Sequence, residues 1–208
     1  MSLKLRLWFG PAAASLFVLG IVLLPLMVPG YDPVRQTVSE IGEMGSPARV
    51  PFALMLCLVA ACVVVLATAL RAVSLRLDRP AWAAWLTACM AVSAAGVGVF
   101  DYPHPLHNWF GLSELIGYQA PLALALTWRR EASVRGVVAF SWVMSAVVWA
   151  AILANLASLD RHSAVWLVEQ PVYGLIQRGL FASFSSGWPA FRCSFAAKPP
   201  DRSRFPLM

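Results

Sequence analysis

Charged residues are scarce in this sequence. Only 12% of its 208 residues are Asp, Glu, Lys or Arg, whereas 60% are hydrophobic. A soluble domain usually has about 25% charged and about 45–50% apolar residues, so this chain lacks the material for a water-facing surface. The composition therefore excludes a soluble enzyme and an intrinsically disordered chain, and it favours a bundle of membrane helices.

Cysteine pairing and familiar catalytic signatures are also missing. The four cysteines lie in or near apolar runs without a Cys-x-x-Cys spacing, which is typical of small buried hydrophobes rather than of a disulfide-stapled secreted scaffold. The sequence has no Gly-x-Ser-x-Gly elbow, phosphate-binding loop, dinucleotide fingerprint or His-Glu-x-x-His motif. A functional site must therefore be sought among individual polar residues.

Long apolar runs are what the sequence has instead. A hydrocarbon core of about 30 Å needs roughly 20 apolar residues in helix. Six runs qualify, at residues 8–29, 50–73, 81–100, 112–128, 137–159 and 172–191. The fourth is short, and the sixth contains Arg178 and Pro189. We predict an all-α polytopic bundle of six transmembrane helices over residues 1–194, followed by a disordered basic cytoplasmic tail at 195–208.

The basic residues fall in clusters between these runs. Twelve of the sixteen lie on one side of the predicted bundle, at both ends of the chain and in alternate loops. This asymmetry follows the positive-inside bias and predicts a protein of a bacterial-type inner membrane with cytoplasmic N- and C-termini. The net charge of +6 is thus a topology signal. The expected partner is the lipid bilayer, and no nucleic acid is expected.

Acidic residues and histidines concentrate on the opposite, outer side. Seven of the ten acids and all three histidines lie there, so a polar site is expected to open outward. We select six candidate residues for this site: Ser39, Glu40, Asp101, His107, Glu114 and Arg178. Ser39 and Glu40 have a competing structural interpretation, in which Ser39 caps a short helix and Glu40 interacts with the helix dipole.

The segment around His107 suggests a metal site as one of three alternatives. Asp101, His104 and His107 are residue types that bind zinc or a comparable ion, and histidines three residues apart can share a helical face. Pro103 and Pro105 disfavour a regular helix there. A polar pocket without metal and aromatic packing at the membrane interface therefore remain alternatives.

Glu114 and Arg178 are charges within predicted spans. A charge near the centre of a membrane helix costs roughly 2.5–3.5 kcal/mol on insertion scales, so such residues face the bundle interior or a cavity and usually pair. Their opposite signs at similar depth predict that Glu114 and Arg178 pair with each other. We favour a structural ion pair over contact with a substrate or proton.

The chain resembles the integral-membrane family catalogued as domain of unknown function 998. The likeness covers about residues 8–190 and rests on three short stretches: Tyr31-Asp32-Pro33 leading into Ser39-Glu40-Ile41-Gly42, Phe100-Asp101 followed by His107, and Gly174-Leu175-Ile176-Gln177-Arg178. It implies a six-helix membrane protein whose activity the family name leaves open. The polar stretch Phe184-Ser185-Ser186-Gly187-Trp188-Pro189 departs from the apolar last helix that the family leads one to expect.

A looser similarity is to membrane-embedded metal hydrolases of the ceramidase and progestin-receptor type, through Ser39, Asp101 and His107. The second histidine-rich helix of such proteins is missing, because His162 stands alone in its loop. We therefore expect first a membrane component that binds a small or lipidic ligand. The alternatives are a zinc-dependent hydrolase, with water activated by the metal, and a proton-coupled transporter in which Glu114 titrates.

Overall fold

A computed structural model describes residues 1–158, 160 and 162–196, with side chains as far as residue 185. Within that part of the chain the regular structure is helical, which confirms the all-α prediction. The helices are α1 (Leu3–Leu7), α2 (Phe9–Leu23), α3 (Arg49–Arg76), α4 (Trp82–Val99), α5 (Pro105–Gly117), α6 (Ala120–Trp128), α7 (Arg135–Ala157), α8 (Ala164–Glu169) and α9 (Tyr173–Ala196). Single 3-10 turns lie at Leu24–Met27, Ser39–Gly42, Ala132–Val134 and Gln170–Val172.

The predicted tail is largely outside this description. Helix α9 includes residues 195 and 196, whereas residues 197–208 lie outside the described residues. Arg161, one of the basic residues used to predict the orientation, also lies outside them.

Four stretches of the described chain are long and apolar enough to cross a membrane: Leu3–Met27, Arg49–Arg76, Trp82–Val99 and Ala132–Ala157. They correspond to the first, second, third and fifth predicted spans. The fourth and sixth predicted spans do not meet the same criteria of length and hydropathy among the described residues. The count of six spans is therefore not confirmed, while four membrane-capable helices are.

The fourth predicted span is two helices rather than one. Helix α5 begins at Pro105, seven residues before the predicted start, and ends at Gly117, and α6 begins at Ala120. Pro121 explains the break, because a proline ring clashes with the carbonyl four residues earlier, here that of Gly117. Pro105 does not prevent a helix, since it is the first residue of α5, where its missing N–H costs nothing.

Six of the described helices form a closed ring. In order of contact, the ring runs through α2, α3, α4, α6, α7 and α9 and returns to α2. Helix α5 packs on α4, and α1 packs on α3. At one end of the bundle Arg79 and Glu131 form an ion pair that joins the loop after α3 to the loop after α6. The side of the bundle away from this ion pair carries the loop before α3.

Small residues let α4 and α5 approach closely. A Cβ atom on Gly96 would overlap the ring of Phe110, and a Cβ on Gly117 would lie 2.6 Å from the Cβ of Met90. The Phe110 ring in turn stacks on Phe100 with a centroid distance of 5.6 Å. Glycine at these helix contacts is the packing solution expected of helices in a membrane, where close van der Waals contact drives association. These contacts fix α5, which carries His107 and Glu114.

Replacing Gly96 by alanine is expected to destabilise the bundle by about 1–3 kcal/mol, the usual cost of forcing an extra group into a packed core. The reason is the overlap of the new methyl group with the Phe110 ring. Thermal unfolding in detergent measures the change. Gly111→Ala on α5 is the matched control, because a Cβ there meets nothing within 4 Å. Equal melting temperatures for Gly96→Ala and Gly111→Ala would contradict the packing.

Candidate functional site

Residues 28–48, which we call the outer loop, are held by their own hydrogen bonds. The Tyr31 hydroxyl donates to the Thr37 carbonyl at 2.6 Å, and the Asp32 amide donates to the Gln36 side-chain carbonyl at 2.7 Å. Burial raises the pKa of the Tyr31 hydroxyl, and this effect exceeds the opposing one of its hydrogen bond from Arg178. The hydroxyl is therefore a neutral donor, and the loop has a defined shape.

Glu40 is part of this internal network. One carboxylate oxygen accepts from the Thr37 amide at 3.2 Å and from the Thr37 hydroxyl at 2.8 Å, and the other accepts from the Gln36 amide group at 2.9 Å. An acidic side chain that reaches back to an earlier amide is the arrangement of a capping box. Glu40 therefore has a structural role in the loop. Its partners are Thr37 and Gln36, whereas the structural interpretation had it interact with a helix dipole.

Helix α9 receives the outer loop on its first turns. Gly174 lies against the loop backbone, since a Cβ there would come closer than 3.0 Å to the carbonyl oxygens of Pro33, Val34 and Gln36. The Leu175 amide donates to the Val34 carbonyl at 3.2 Å. The Gln177 side-chain carbonyl accepts from the Val38 amide at 2.7 Å. The stretch from Gly174 to Arg178 is thus a docking surface for the loop.

Arg178 completes this docking surface. Its Nη1 donates to the carbonyls of Pro33 (2.8 Å), Gln36 (2.9 Å) and Gly174 (3.0 Å), and its Nη2 donates to the Tyr31 hydroxyl. The guanidinium also lies 5.7 Å from the centroid of the Tyr31 ring, within the range of a cation–π contact. Arg178 therefore joins α9 to the loop.

The predicted ion pair between Glu114 and Arg178 is wrong. Arg178 uses its donors on loop oxygens, while the Glu114 carboxylate accepts a hydrogen bond from the Tyr118 hydroxyl at 3.0 Å. Within the described residues the three ion pairs are Arg35–Asp32, Arg49–Asp101 and Arg79–Glu131. The physical reason is that backbone carbonyls satisfy the guanidinium without a carboxylate partner.

Ser39 and His107 meet between the outer loop and α5. Ser39 Oγ lies 2.9 Å from His107 Nε2, and His107 Nδ1 lies 2.7 Å from the Phe100 carbonyl oxygen. A carbonyl oxygen only accepts, so Nδ1 carries a proton and donates to it. In the neutral ring Nε2 is then the acceptor of the Ser39 hydroxyl proton. Ser39 does not cap the 3-10 turn that it begins, which corrects the capping interpretation.

The three predicted metal ligands are not gathered around one point. Asp101 forms an ion pair with Arg49, and His104 is the N-cap of α5, where its Nδ1 accepts from the Leu106 amide at 3.1 Å. His107 is held between Phe100 and Ser39. Among the described residues no group of three or more His, Cys, Asp and Glu side chains is placed to hold a metal ion. The described structure thus does not bring Asp101, His104 and His107, the residues of the metal-site alternative, together around one ion.

Glu114 lines a separate cavity, which is partly open to the surroundings of the bundle. The cavity has a volume of about 60 Å³ and is lined by helices α2, α3, α4, α5 and α9. Apart from Glu114, Tyr118 and Ser185, its lining is apolar: Ala13, Ala14, Phe17, Leu56, Val59, Val63, Met90, Ala94, Phe181 and Phe184. The six predicted site residues are thus divided, with Glu114 in the cavity and the other five at or beside the outer loop.

Four residues of these sites were not among the candidates predicted from the sequence: Tyr31, Phe100, Tyr118 and Gln177. Tyr31, Phe100 and Gln177 stand in the stretches that carried the family resemblance, and that was a usable signal for all three. Phe100 acts through its backbone carbonyl, which no residue type encodes. Tyr118 follows Glu114 by four residues, a spacing that places the two side chains side by side on a helix.

A family model described as "Protein of unknown function (DUF998)" matches residues 11–191 of the chain. The matched range contains the outer loop, the Ser39–His107 contact and the cavity-lining helices. It confirms the resemblance inferred from the sequence. No curated protein and no solved structure matches the chain.

Gly174→Ala is expected to detach the outer loop from α9, because the new methyl group would collide with backbone carbonyls that cannot rotate away. Overpacking of this kind costs about 1–3 kcal/mol. Hydrogen exchange at the Val38 amide, which is bonded to Gln177, is expected to accelerate. Gly179→Ala on the same helix is the control, since a Cβ there meets nothing within 4 Å. Unchanged exchange in Gly174→Ala would refute the docking.

Proposed function

The chain belongs to the DUF998 family, and we propose that it is a multi-pass protein of a bacterial-type inner membrane that binds a small or lipidic ligand inside its helix bundle. Four membrane-capable helices support the membrane assignment. The cavity lined by Glu114 supports the proposal that a ligand binds. The observation that carries the proposal is Glu114, a carboxyl group that faces an otherwise largely apolar cavity and that, among the described residues, accepts a hydrogen bond from Tyr118.

The exposed surface of the bundle agrees with contact to lipid. Large apolar side chains away from the helix ends are exposed, among them Leu58, Val92 and Val147. Exposed tryptophans stand near opposite ends of the bundle, with Trp82 at the start of α4 and Trp109 in the first turns of α5. Tryptophans at both interfaces and apolar residues between them are typical of a protein that crosses a bilayer.

The chemistry of the cavity indicates the class of ligand. A volume of about 60 Å³ exceeds the roughly 10–15 Å³ that a single water molecule requires. Phenylalanine and aliphatic side chains suit a hydrocarbon segment, and a carboxylate offers several acceptor sites, of which the Tyr118 hydroxyl occupies one. We therefore infer a ligand with a hydroxyl or ammonium group that donates to Glu114 and an aliphatic chain of which only a short segment enters the cavity. A few polar groups in an apolar pocket fix the orientation of such a ligand.

Ligand binding accounts for the site better than the two alternatives. The metal-dependent hydrolase needs Asp101, His104 and His107 on one ion, whereas each has a different partner. Proton-coupled transport would use Glu114 as its titrating group, and the described residues that line the cavity include no second carboxyl and no histidine to pass the proton on.

Glu114→Gln is expected to weaken binding of decylamine or decanol by about tenfold or more, equivalent to roughly 1.4 kcal/mol. The amide keeps the shape of the side chain but is a weaker acceptor and carries no charge. Native mass spectrometry of the purified protein released from nanodiscs measures the bound fraction. Glu43→Gln in the outer loop is the control, because Glu43 does not line the cavity. Equal binding by both variants would refute a role for Glu114.

The orientation is tested by cysteine labelling in intact cells. In a chain whose native cysteines are replaced by serine, Arg35→Cys in the outer loop is expected to react with a membrane-impermeant maleimide. Arg130→Cys, exposed after α6, is expected to react only after lysis. This follows from the excess of basic residues on the side of Arg130. The reverse pattern would contradict cytoplasmic termini.

A further inference from the structure

We propose that Ser39 and His107 are a nucleophile and its general base, and that they transfer the acyl group of a carboxylic ester to water. The pair has the three parts that activate a serine: the hydroxyl, an imidazole within hydrogen-bond reach, and a third group that orients the imidazole. The two contacts are 2.9 Å from Ser39 Oγ to Nε2 and 2.7 Å from Nδ1 to the Phe100 carbonyl.

The surroundings of His107 hold its ring in the orientation that this chemistry requires. His107 is 4% exposed, so its ring is enclosed by protein. The ring of Tyr102 meets it edge-on at a centroid distance of 5.8 Å. Because Nδ1 donates to a carbonyl, the free electron pair of the neutral ring is on Nε2, facing the Ser39 hydroxyl. The ring is thus positioned to take the hydroxyl proton.

Ser39 is the more exposed residue of the pair. Ser39 is half-buried and lies in the outer loop, at the end of the bundle remote from the Arg79–Glu131 ion pair.

The reaction proceeds in two balanced halves. Ser39 Oγ forms a bond to the ester carbonyl carbon while His107 Nε2 takes the hydroxyl proton. The carbon–oxygen bond to the alcohol then breaks, and the alcohol leaves with the proton from Nε2. Water next attacks the acyl-Ser39 carbonyl, giving its proton to Nε2. The bond to Ser39 Oγ breaks, Oγ recovers the proton, and a carboxylic acid is released.

This activity is independent of the ligand proposed for the cavity, because neither Ser39 nor His107 lines the cavity. Loss of ligand binding in Glu114→Gln leaves the Ser39 chemistry intact. Absence of acyl transfer likewise leaves the cavity proposal standing. The chain also supplies an internal comparison in Ser113, a half-buried serine whose hydroxyl pairs with Ser93 at 2.7 Å instead of with a histidine.

The test is covalent labelling of the full chain in detergent micelles with a fluorophosphonate, followed by peptide mass mapping. We expect the adduct on Ser39 and none on Ser113. Ser39→Ala is expected to abolish the adduct, and Ser113→Ala to leave it unchanged. His107→Gln, which keeps a hydrogen-bonding side chain, is expected to slow labelling at least tenfold. Hydrolysis of 4-nitrophenyl butyrate is expected to fall by the same factors in the same variants.

Two outcomes would overturn the proposal. One is the absence of an adduct on Ser39 in protein whose thermal unfolding is that of the intact bundle. The other is equal labelling of Ser39 with histidine and with glutamine at position 107, which would show that the contact only attaches the loop to α5. Thermal unfolding of each variant separates a chemical effect from a loss of folded protein.

Discussion

The arrangement of the outer end of this protein depends on how the charge of Arg178 is satisfied. A guanidinium within an apolar bundle is costly unless its donors are used. Here the donors go to carbonyl oxygens of the outer loop and of α9 itself, and to the Tyr31 hydroxyl. The loop is therefore drawn onto α9, and the position of Ser39 opposite His107 follows from that placement.

This interaction requires particular residue types in α9, whereas the loop residues Pro33 and Gln36 contribute only backbone carbonyls to it. Pro33 and Gln36 contribute oxygens that any residue would supply at those positions. On α9, by contrast, the residue type matters at both positions. Gly174 must lack a side chain, and Arg178 must carry several donors in one plane. The short stretch Gly174-Leu175-Ile176-Gln177-Arg178 is thus the sequence counterpart of a contact whose other half is largely backbone, with the Tyr31 side chain added.

The difference between side-chain and backbone partners also explains what could be predicted from the sequence. Four membrane-capable helices were predictable because apolar length is a property of each segment alone. The break at Pro121 was missed, because one span was predicted across residues 112–128 although a proline inside a helix disfavours the preceding turn. The partner of Arg178 was not predictable, because complementary charge pointed to Glu114 whereas the true acceptors are carbonyls. The same holds for His107, whose orientation depends on the carbonyl of Phe100.

Helix α5 connects the two polar features of the molecule. His107 and Glu114 are seven residues apart on it, which places them on one face and about 10 Å apart along the axis. The outer end of α5 is fixed through His107 to the loop, and the inner end through Gly117 to α4. Helix α5 therefore holds both polar groups in place, although the loop and the cavity share no side chain.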